Sequence, residues 1–450
     1  MPTDAKSQLK TLYQALADRP LEPNDPFYVP YMQDDHSEPD PVSRIFTDIS
    51  FSESSSLQMV SGQRGTGKST EFLRLKSMLE KEDYIVFYID MLDYIHSTEP
   101  VEISDFLLAS TLAIAEAAEK RYGLNSVHEN YLERLKDFLL SKIKLDEITL
   151  KTGINEFGTD IKMRLKRDDT FKKRLQEVSR GHISRLVDDS HQFVANLVTA
   201  LREKVNNPDQ QVVFIIDSFE QIRGHSTNAN NVHDSIVQLF STHGKNLHFP
   251  MLHMVITVPP YLNSAAPGVA AILGSTPPIM WPSIHTRQRN GDDDEKGIAI
   301  LTDIIGKRSD VIHKIFLKED LRKLAIASGG EIRIMFTLVR AALTINGAQL
   351  DRMKLPTPSK VIQQALDQVQ RSMLPITDED VRKLFYVHQS KQAELEDIAE
   401  LPELARLFDF NLIINYRNGD DWYDILPIIT DYVLERQAVL DARKPTVSDD

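Results

Sequence analysis

Cysteine is absent from all 450 residues of the chain. This absence excludes disulfides, thiolate metal sites and thiol nucleophiles, and it predicts a protein of a reducing cytoplasm. Apolar runs of the roughly 18 residues that a membrane helix needs are also missing, and the N-terminus lacks the apolar stretch of a signal peptide. The sequence therefore predicts a cytoplasmic protein with no membrane partner.

The signatures of two enzyme classes are missing as well. The histidines show no His-Glu-x-x-His or other tight metal-ligand spacing, and no Gly-x-Ser-x-Gly elbow occurs. Positive charge is in deficit, because 52 Lys and Arg residues face 66 Asp and Glu residues for a net charge of −14. These absences argue against zinc chemistry, serine hydrolysis and indiscriminate wrapping of nucleic acid.

The first two thirds of the chain predict an α/β core with additions. Apolar β-branched and aromatic runs alternate with amphipathic stretches over residues 41–290, which is typical of a parallel sheet covered by helices. Residues 126–204 interrupt this core with charged, glycine-poor sequence that predicts a helical insertion. Residues 1–40 are broken by prolines and predict an N-terminal arm.

The last third predicts two further domains. Residues 291–370 follow an acidic turn and have the spacing of a small helical domain. Within residues 371–437, two helices precede alternating runs around Asn418-Gly419, and a final helix follows; Asn-Gly in this setting is the strongest short hairpin signal. Helices followed by a hairpin predict a winged helix, and residues 438–450 predict a tail.

A glycine-rich loop follows the first predicted strand and precedes a helix. Gly62-x-x-x-x-Gly67-Lys68-Ser69 matches the Walker A pattern at every fixed position. Glycines let consecutive backbone N–H groups turn toward an anion, and the helix N-terminus adds its positive dipole end. Lys68 is expected to reach the β and γ phosphates of ATP, and Ser69 to bind Mg²⁺. The loop residues predicted to bind the nucleotide are Gly62, Gln63, Arg64, Gly65, Thr66, Gly67, Lys68, Ser69 and Thr70.

Four polar residues elsewhere are candidates to complete the site. Asp217 ends an apolar run and is expected to hold Mg²⁺ through water. Glu220 is the candidate base, with a local cap or salt bridge as the alternative. Thr257 ends the fourth strand and is a candidate γ-phosphate sensor, or a strand-end residue without a role. Arg333 begins a helix after Gly329-Gly330, from where an arginine can point back at the phosphates.

This series of motifs resembles the STAND and AAA+ branch of the P-loop ATPases over residues 40–125 and 205–437. The resemblance implies a P-loop NTPase three-layer sandwich with a parallel sheet, the helical insertion, a helical lid over residues 291–370 and the C-terminal winged helix. It also implies Mg²⁺-dependent ATP hydrolysis and ATP-dependent homo-oligomers. The catalytic residues it implies are Lys68, Asp217, Glu220 and Arg333.

Two shorter stretches carry a narrower resemblance. Gly65 to Leu75 and Asn415 to Tyr423 are similar to bacterial ATPases associated with antiviral defence. In AAA+ relatives an arginine of a neighbouring subunit completes the site, and the candidates between the fourth strand and the lid are Arg287, Arg289 and Arg308. A surface arginine is the alternative for each of them.

Two functions remain open from the sequence. The first is an ATP-driven oligomeric switch or scaffold that recruits or regulates an effector protein in antiphage defence; the alternative is a DNA-binding initiator or loader that acts through its winged helix. The net charge of −14 and the acidic helices of residues 371–437 favour the switch. The basic stretch Lys162–Arg174 predicts a solvated helical face, or a surface that grips phosphates or an acidic partner.

Overall fold

The computed structural model describes residues 2–32, 40–124, 133–134, 154–224, 227–266, 268–273, 277–349, 354–395 and 397–443. The chain forms two compact units. The first unit consists of Met1–Pro41, Gly62–Leu73 and Met280–Asp450, and the second of Val42–Ser61 and Arg74–Ile279. Most of the predicted insertion before Ile154 and residues 444–450 of the predicted tail lie outside the described residues.

A parallel β-sheet forms the centre of the second unit. Its strands are β1 (Ser56–Gly62), β2 (Ile85–Asp90), β3 (Val212–Asp217), β4 (His253–Val258) and β5 (Ile279–Trp281), of which Gly62 and Met280–Trp281 belong to the first unit. Their order is β2-β3-β4-β1-β5, and the pairs β2–β3, β3–β4 and β4–β1 are parallel. Because β3 and β4 are buried along their whole length, near-continuous Val and Ile runs suit them. The sheet confirms the predicted α/β class with its parallel sheet.

One strand begins later than its apolar run indicates. The run starts at Met251, but β4 starts at His253. Met251 has a φ of 58°, a left-handed conformation that ends regular extended structure and forms a turn before the strand. The sequence pattern does not reveal this turn, because Met251 and Leu252 are apolar like the strand itself.

Helices cover the sheet of the second unit. In chain order these are α2 (Pro41–Phe51), α3 (Lys68–Lys81, which begins in the first unit), α4 (Ile103–Tyr122), α5 (Ile154–Arg167), α6 (Asp169–Arg180), α7 (Ile183–Lys204), α8 (Ala229–Leu247), α9 (Leu262–Ala265) and α10 (Val269–Leu273), with single 3-10 turns at Met91–Asp93 and Phe219–Gln221. Helix α4 is buried along most of its length because α5, α6, α7 and α8 all pack on it. Residues 154–204 of the predicted insertion are therefore helical and form part of the core.

The first unit is largely helical. It contains α1 (Pro2–Ala15), the phosphate loop, α11 (Glu295–Gly306), α12 (Ile312–Ile315), α13 (Lys318–Ala327), α14 (Ile332–Gly347), α15 (Ser359–Ser372), α16 (Asp378–Ser390), α17 (Leu401–Asp409), strands β6 (Ile413–Asn418) and β7 (Asp420–Ile425), and α18 (Thr430–Ala442), with 3-10 turns at Ile398–Glu400 and Pro427–Ile429. Within the described residues of the whole chain, no helix combines the length and apolar character needed to span a membrane.

The predicted hairpin is present near the C-terminus. Strands β6 and β7 are antiparallel, and Asn418 pairs with Asp420 across Gly419. Tyr416 and Trp422 lie opposite each other and are both buried, with ring centroids 4.6 Å apart. The final helix, α18, begins at Thr430 after the 3-10 turn Pro427–Ile429 and ends at Ala442, so residues 438–442 of the predicted tail are helical. Residues 378–442 are called the C-terminal module below.

Candidate nucleotide-binding site

The phosphate loop, residues 62–70, adopts a conformation that requires its glycines. Gly65 has a φ of 99° and Gly67 a φ of 95°, which side-chain-bearing residues rarely adopt. A Cβ atom on Gly65 would lie 2.9 Å from Cβ of Arg333, and one on Gly67 would lie 2.7 Å from the hydroxyl of Tyr31. Both conformation and close packing therefore explain why the sequence has glycine at these two positions.

Lys68 lies at the end of the loop and begins α3. Its side chain is 4% exposed, and Nζ donates hydrogen bonds to the carbonyl oxygens of Gly62 at 2.9 Å and Gln63 at 2.5 Å. The N-terminus of α3 begins at the same residue, so its positive dipole end adds to the ammonium charge. The loop thus places a fixed cation and a helix N-terminus together, as anion binding requires.

Tyr31 of the N-terminal arm closes one side of the loop. Its hydroxyl donates to the carbonyl oxygen of Thr66 and accepts from Nε1 of Trp281 at 3.2 Å. Burial raises the pKa of Tyr31 well above its ordinary value, which keeps the hydroxyl protonated as a donor. No sequence motif predicts this contact, although an aromatic residue among the prolines of the arm is a usable signal.

Two further arm residues contact the first turn of α3. The backbone N–H of Leu21 donates to Oγ1 of Thr70 at 3.1 Å, and the hydroxyl of Tyr28 donates to Oε1 of Glu71 at 2.9 Å. The predicted arm is therefore anchored to the start of the helix that follows the phosphate loop.

The arginine predicted to point back at the phosphates does lie at the loop. Arg333 packs on Gly65, and its Nε is 2.6 Å from Oδ2 of Asp18 in the arm. Glu331 precedes it and is fully buried, and its Oε1 accepts a hydrogen bond from Oγ of Ser283. Burial raises the pKa of Glu331 to about 7, against the lowering effects of the Ser283 hydrogen bond and of the Lys68 and Arg333 charges.

The C-terminal module also contacts the loop. The side-chain amide of Gln63 donates to the carbonyl oxygen of Ile413 in β6, and Nδ2 of Asn411 donates to the carbonyl oxygen of Arg64 at 3.1 Å. Gln63 and Arg64 occupy the variable positions of the Walker A pattern, so no motif predicts these bonds. They give the module a direct connection to the backbone of the phosphate loop.

In the second unit, Asp217 lies at the carboxyl end of β3 and is 1% exposed. Its Oδ2 accepts a hydrogen bond from the hydroxyl of Tyr88 at 2.6 Å, and its Oδ1 accepts one from the backbone N–H of Ser218 at 2.7 Å. The two donors fix the orientation of the carboxylate. The sequence does not predict the hydrogen bond of Tyr88, because an aromatic residue is common in a buried strand such as β2.

The turn after β3 carries Glu220. Ser218 has a φ of 66°, and Phe219–Gln221 then form a 3-10 turn in which Glu220 is 8% exposed. The backbone N–H of Phe219 donates to Oγ1 of Thr257 at 2.9 Å, so Thr257 holds this turn against β4. The observed contact of the predicted sensor Thr257 is thus with the backbone of the turn that carries the predicted base.

Asp90 ends β2 directly opposite Asp217. Burial raises its pKa, with further contributions from the negative charges of Asp93 and Glu220, while hydrogen bonds from Leu92 and Ser218 act to lower it. Asp90 and the two predicted carboxylates, Asp217 and Glu220, therefore gather at one edge of the sheet, where the parallel strands end. Ligands of open α/β sheets bind at that edge.

Arg308 is not available as the arginine that would complete the site of a neighbouring subunit, which is called the finger below. It is 6% exposed, donates to the carbonyl oxygen of Phe27 at 3.0 Å, and lies over the rings of Phe27 and Phe336 at 5.2 and 4.8 Å. Burial lowers the pKa of Arg308 to about 10. Its guanidinium is used inside the first unit, whereas Arg289 is exposed and Arg287 is partly exposed beside the turn 288–292.

Three of the seven cations in the basic stretch of the insertion, Lys162, Arg164 and Lys166, form ion pairs with carboxylates of the second unit. Lys162 pairs with Glu116 at 2.8 Å, Arg164 pairs with Asp160 at 2.8 Å, and Lys172 is 5% exposed. Only three of the seven positive side chains are exposed: Arg167, Lys173 and Arg174. The ion pairs favour the predicted helical face over the alternative of a surface that grips phosphates.

The donor set suits magnesium. Mg²⁺ prefers oxygen ligands and usually takes one or two from protein, with the rest from phosphate and water. The hydroxyl of Ser69 and the carboxylate of Asp217 are oxygen donors of this kind. Among the described residues, no group of three or more His, Asp or Glu side chains could hold a metal ion by itself. Each of the two predicted ligands, Ser69 in the first unit and Asp217 in the second, thus supplies the type of oxygen that Mg²⁺ prefers.

No protein-family model matches the sequence, and no curated protein matches it. Solved structures of similar architecture include the ORC2 protein of Aeropyrum pernix in ADPNP-ADP complexes, with 10% identity, a TM-score of 0.41 and coverage of 95% of this chain and 98% of that one. The ORC1 protein of Aeropyrum pernix in complex with DNA has 11% identity, a TM-score of 0.38 and coverage of 96% and 98%. A Walker-type ATPase of Pyrococcus abyssi has 12% identity, a TM-score of 0.41 and coverage of 94% and 99%. These similarities concern architecture alone, and the antiviral-defence assignment stays a prediction from the sequence.

Proposed function

We propose that the protein binds ATP with Mg²⁺ and hydrolyses it. The phosphate loop carries this proposal, because its Walker A sequence is folded between a parallel strand and a helix N-terminus with Lys68 held at its end. In this proposal Lys68 binds the β and γ phosphates, Ser69 and Asp217 hold the magnesium ion, and Glu220 orients and deprotonates the attacking water. Arg333 binds the γ-phosphate.

The observed contacts indicate how these residues would act. Lys68 would exchange its bonds to the carbonyl oxygens of Gly62 and Gln63 for bonds to phosphate oxygens. Arg333 would divide its charge between Asp18 and the γ-phosphate, which links nucleotide binding to the arm. When bound, Mg²⁺ supplies positive charge that neutralises the phosphates. The hydrogen bonds from Tyr88 and Ser218 would hold the Asp217 carboxylate in one orientation for its proposed role at the magnesium ion.

Titration calorimetry of Lys68→Ala tests the proposal. A hydrogen bond to a charged group contributes about 1.5 to 3 kcal/mol, so we expect ATP affinity to fall roughly 10- to 150-fold. Lys81→Ala is the matched control, since it removes an exposed lysine from the other end of the same helix and should leave affinity unchanged. Wild-type ATP affinity in Lys68→Ala would contradict the assignment of the phosphate loop.

We further propose that nucleotide binding controls assembly and partner recruitment. The support is the set of contacts that the loop makes with the arm through Tyr31 and with the C-terminal module through Gln63 and Asn411. A ligand that alters the loop biases these contacts, and such differential contacts are what shifts a conformational equilibrium. A narrower form of this proposal is that the protein recruits an effector in antiviral defence. It rests on the resemblance of Gly65 to Leu75 and Asn415 to Tyr423 to ATPases of that type.

Mass photometry with and without non-hydrolysable ATP measures the assembly. Wild-type protein should form larger particles with the nucleotide, and Lys68→Ala should not. A strictly monomeric wild-type protein at micromolar concentration under every nucleotide condition would contradict the switch while leaving ATP hydrolysis open.

DNA binding by the C-terminal module is the second candidate, and the succession of α17, the β6–β7 hairpin and α18 supports it as a winged-helix pattern. The charges of the module argue against it. Five of its six Lys and Arg side chains are paired internally, and Arg382 is exposed; the pairs are Lys383 with Glu400, Lys391 with Asp424, Arg406 with Asp380, Arg417 with Asp421 and Arg436 with Asp378. Phosphate contacts would have to displace these pairs. Duplex affinity that falls steeply with salt and disappears on deletion of residues 371–450 would establish the second candidate.

A further inference from the structure

Glu331 is a carboxylic acid enclosed beside the phosphate loop. Its side chain is fully buried, Oε1 accepts the hydrogen bond from Ser283, and Oε2 has no hydrogen-bond partner among the described residues. A Cβ atom placed on Gly65 would lie 3.5 Å from that Oε2. The oxygen without a partner is therefore next to the loop to which the proposed function assigns phosphate binding.

Glu331 does not cap its own helix. It occupies the N-cap position of α14, yet its side chain accepts no hydrogen bond from the first turn of that helix. A capping bond of this kind contributes about 1 kcal/mol, and a buried polar atom without a partner costs free energy of similar size. The carboxyl group thus does not form the hydrogen bond that would stabilise the N-terminus of α14. It lies instead beside Gly65, where a ligand can provide the missing partner.

The charges around Glu331 set its protonation. Four titratable side chains act on it from the surrounding elements: Lys68 of α3, Arg333 of α14, Tyr31 of the arm and Tyr416 of β6. Burial outweighs the two cations and places the pKa of Glu331 at about 7. Phosphate groups arriving at the loop add negative charge nearby, which favours the neutral form further.

We infer that Glu331 is a nucleotide-contacting residue that binds phosphate as a neutral carboxylic acid, so that ATP binding transfers a proton from solvent to its carboxyl group. The inference rests on the proposed function, because it requires phosphates at the loop. The proton from bulk water forms an O–H bond at Oε2, and that hydroxyl donates to a phosphate oxygen. The ionised carboxylate would instead place a buried negative charge against the phosphates.

Calorimetric titration of the full chain with ATP and Mg²⁺ in buffers of different ionisation enthalpy counts the protons taken up. At about pH 8 roughly nine tenths of a carboxyl group with a pKa of about 7 is ionised, so wild type should take up about 0.9 proton more than Glu331→Gln. Protons exchanged by the nucleotide itself cancel in this difference. Above about pH 7, wild-type affinity should fall up to about tenfold more per pH unit than that of Glu331→Gln.

Two variants keep the test specific. Glu331→Asp retains a carboxyl group and should restore proton uptake, and Glu319→Gln removes an exposed carboxyl group of α13 and should leave uptake at the wild-type value. Equal uptake by wild type and Glu331→Gln would overturn the inference, even with ATP bound normally. Absence of ATP binding by wild type in every buffer would instead overturn the proposed function, and the inference with it.

Discussion

The hydroxyl of Tyr88 donates a hydrogen bond to Oδ2 of Asp217 at 2.6 Å. Tyr88 lies opposite Ile215 in the parallel pair β2–β3, two positions before the point where Asp90 faces Asp217. Side chains two positions apart along a strand lie on the same face of the sheet, so Tyr88 and Asp217 share a face. The pairing of the two strands thus places a neutral donor on the carboxylate proposed to hold magnesium.

Removal of this donor should weaken magnesium binding. Partners that orient a metal ligand typically contribute about 10- to 100-fold in metal affinity or activity, so Tyr88→Phe should raise the Mg²⁺ concentration needed for half-maximal hydrolysis by that order. Nucleotide affinity measured without Mg²⁺ should change little, which separates positioning from unfolding. Tyr84→Phe, just before the same strand, is the matched control. An unchanged Mg²⁺ dependence in Tyr88→Phe would leave Tyr88 with a packing role only.

Glu220→Gln should retain ATP binding and lose hydrolysis, because the amide keeps the shape of the side chain and cannot accept the proton of the attacking water. General-base catalysis contributes about 10²- to 10⁴-fold, which is the expected loss in turnover. Asp217→Asn should also weaken Mg²⁺-dependent binding. Single-turnover hydrolysis and calorimetry separate the two variants. Turnover by Glu220→Gln at the wild-type rate would place the base elsewhere.

The variants Arg308→Ala and Arg289→Ala should differ in their effect on the free energy of unfolding. The first removes a buried guanidinium from between Phe27 and Phe336, and we expect it to lower the free energy of unfolding by about 2 kcal/mol or more. The second removes an exposed side chain and should leave stability unchanged. If Arg289 is the finger, its variant hydrolyses ATP only when mixed with Lys68→Ala subunits that supply the missing arginine. Arg287→Ala is tested in the same mixture, and no recovery with either variant would exclude both as fingers.

The sequence predicts those parts of the site that depend on short, local patterns. The phosphate loop, the strand ending at Asp217 and the Asn418-Gly419 hairpin are each determined by spacing within about ten residues. The contacts of Tyr31 with Thr66 and of Gln63 with Ile413 join residues 35 and 350 positions apart. Such pairs depend on how whole elements pack. For the same reason the charges of Lys162 and Arg164 do not reveal in advance that protein carboxylates neutralise them.

His253 provides the last prediction, which concerns stability against acid. It is buried at the start of β4, with Nδ1 at 2.9 Å from the hydroxyl of Ser56 and Nε2 at 3.2 Å from Oε1 of Gln211. Because Oε1 can only accept, Nε2 carries the proton and Nδ1 accepts, so both contacts suit the neutral ring. Burial, with a smaller effect of His248, lowers the pKa of His253 to about 4 from an ordinary 6.5.

The sign of the pH dependence follows from this lowered pKa. Between about pH 6.5 and pH 4 the unfolded chain binds the proton and the folded chain does not, so the stabilising effect is present above pH 6.5 and is lost as the pH falls. We expect the free energy of unfolding, measured by urea titration at a series of pH values, to decline in this window with a slope about one proton steeper in wild type than in His253→Gln. His313→Gln, at an exposed position on α12, should keep the wild-type slope. Equal slopes in wild type and His253→Gln would mean that His253 takes up its proton within the folded unit, and acid sensitivity would then have to come from His243 or His248, whose pKa values burial also lowers.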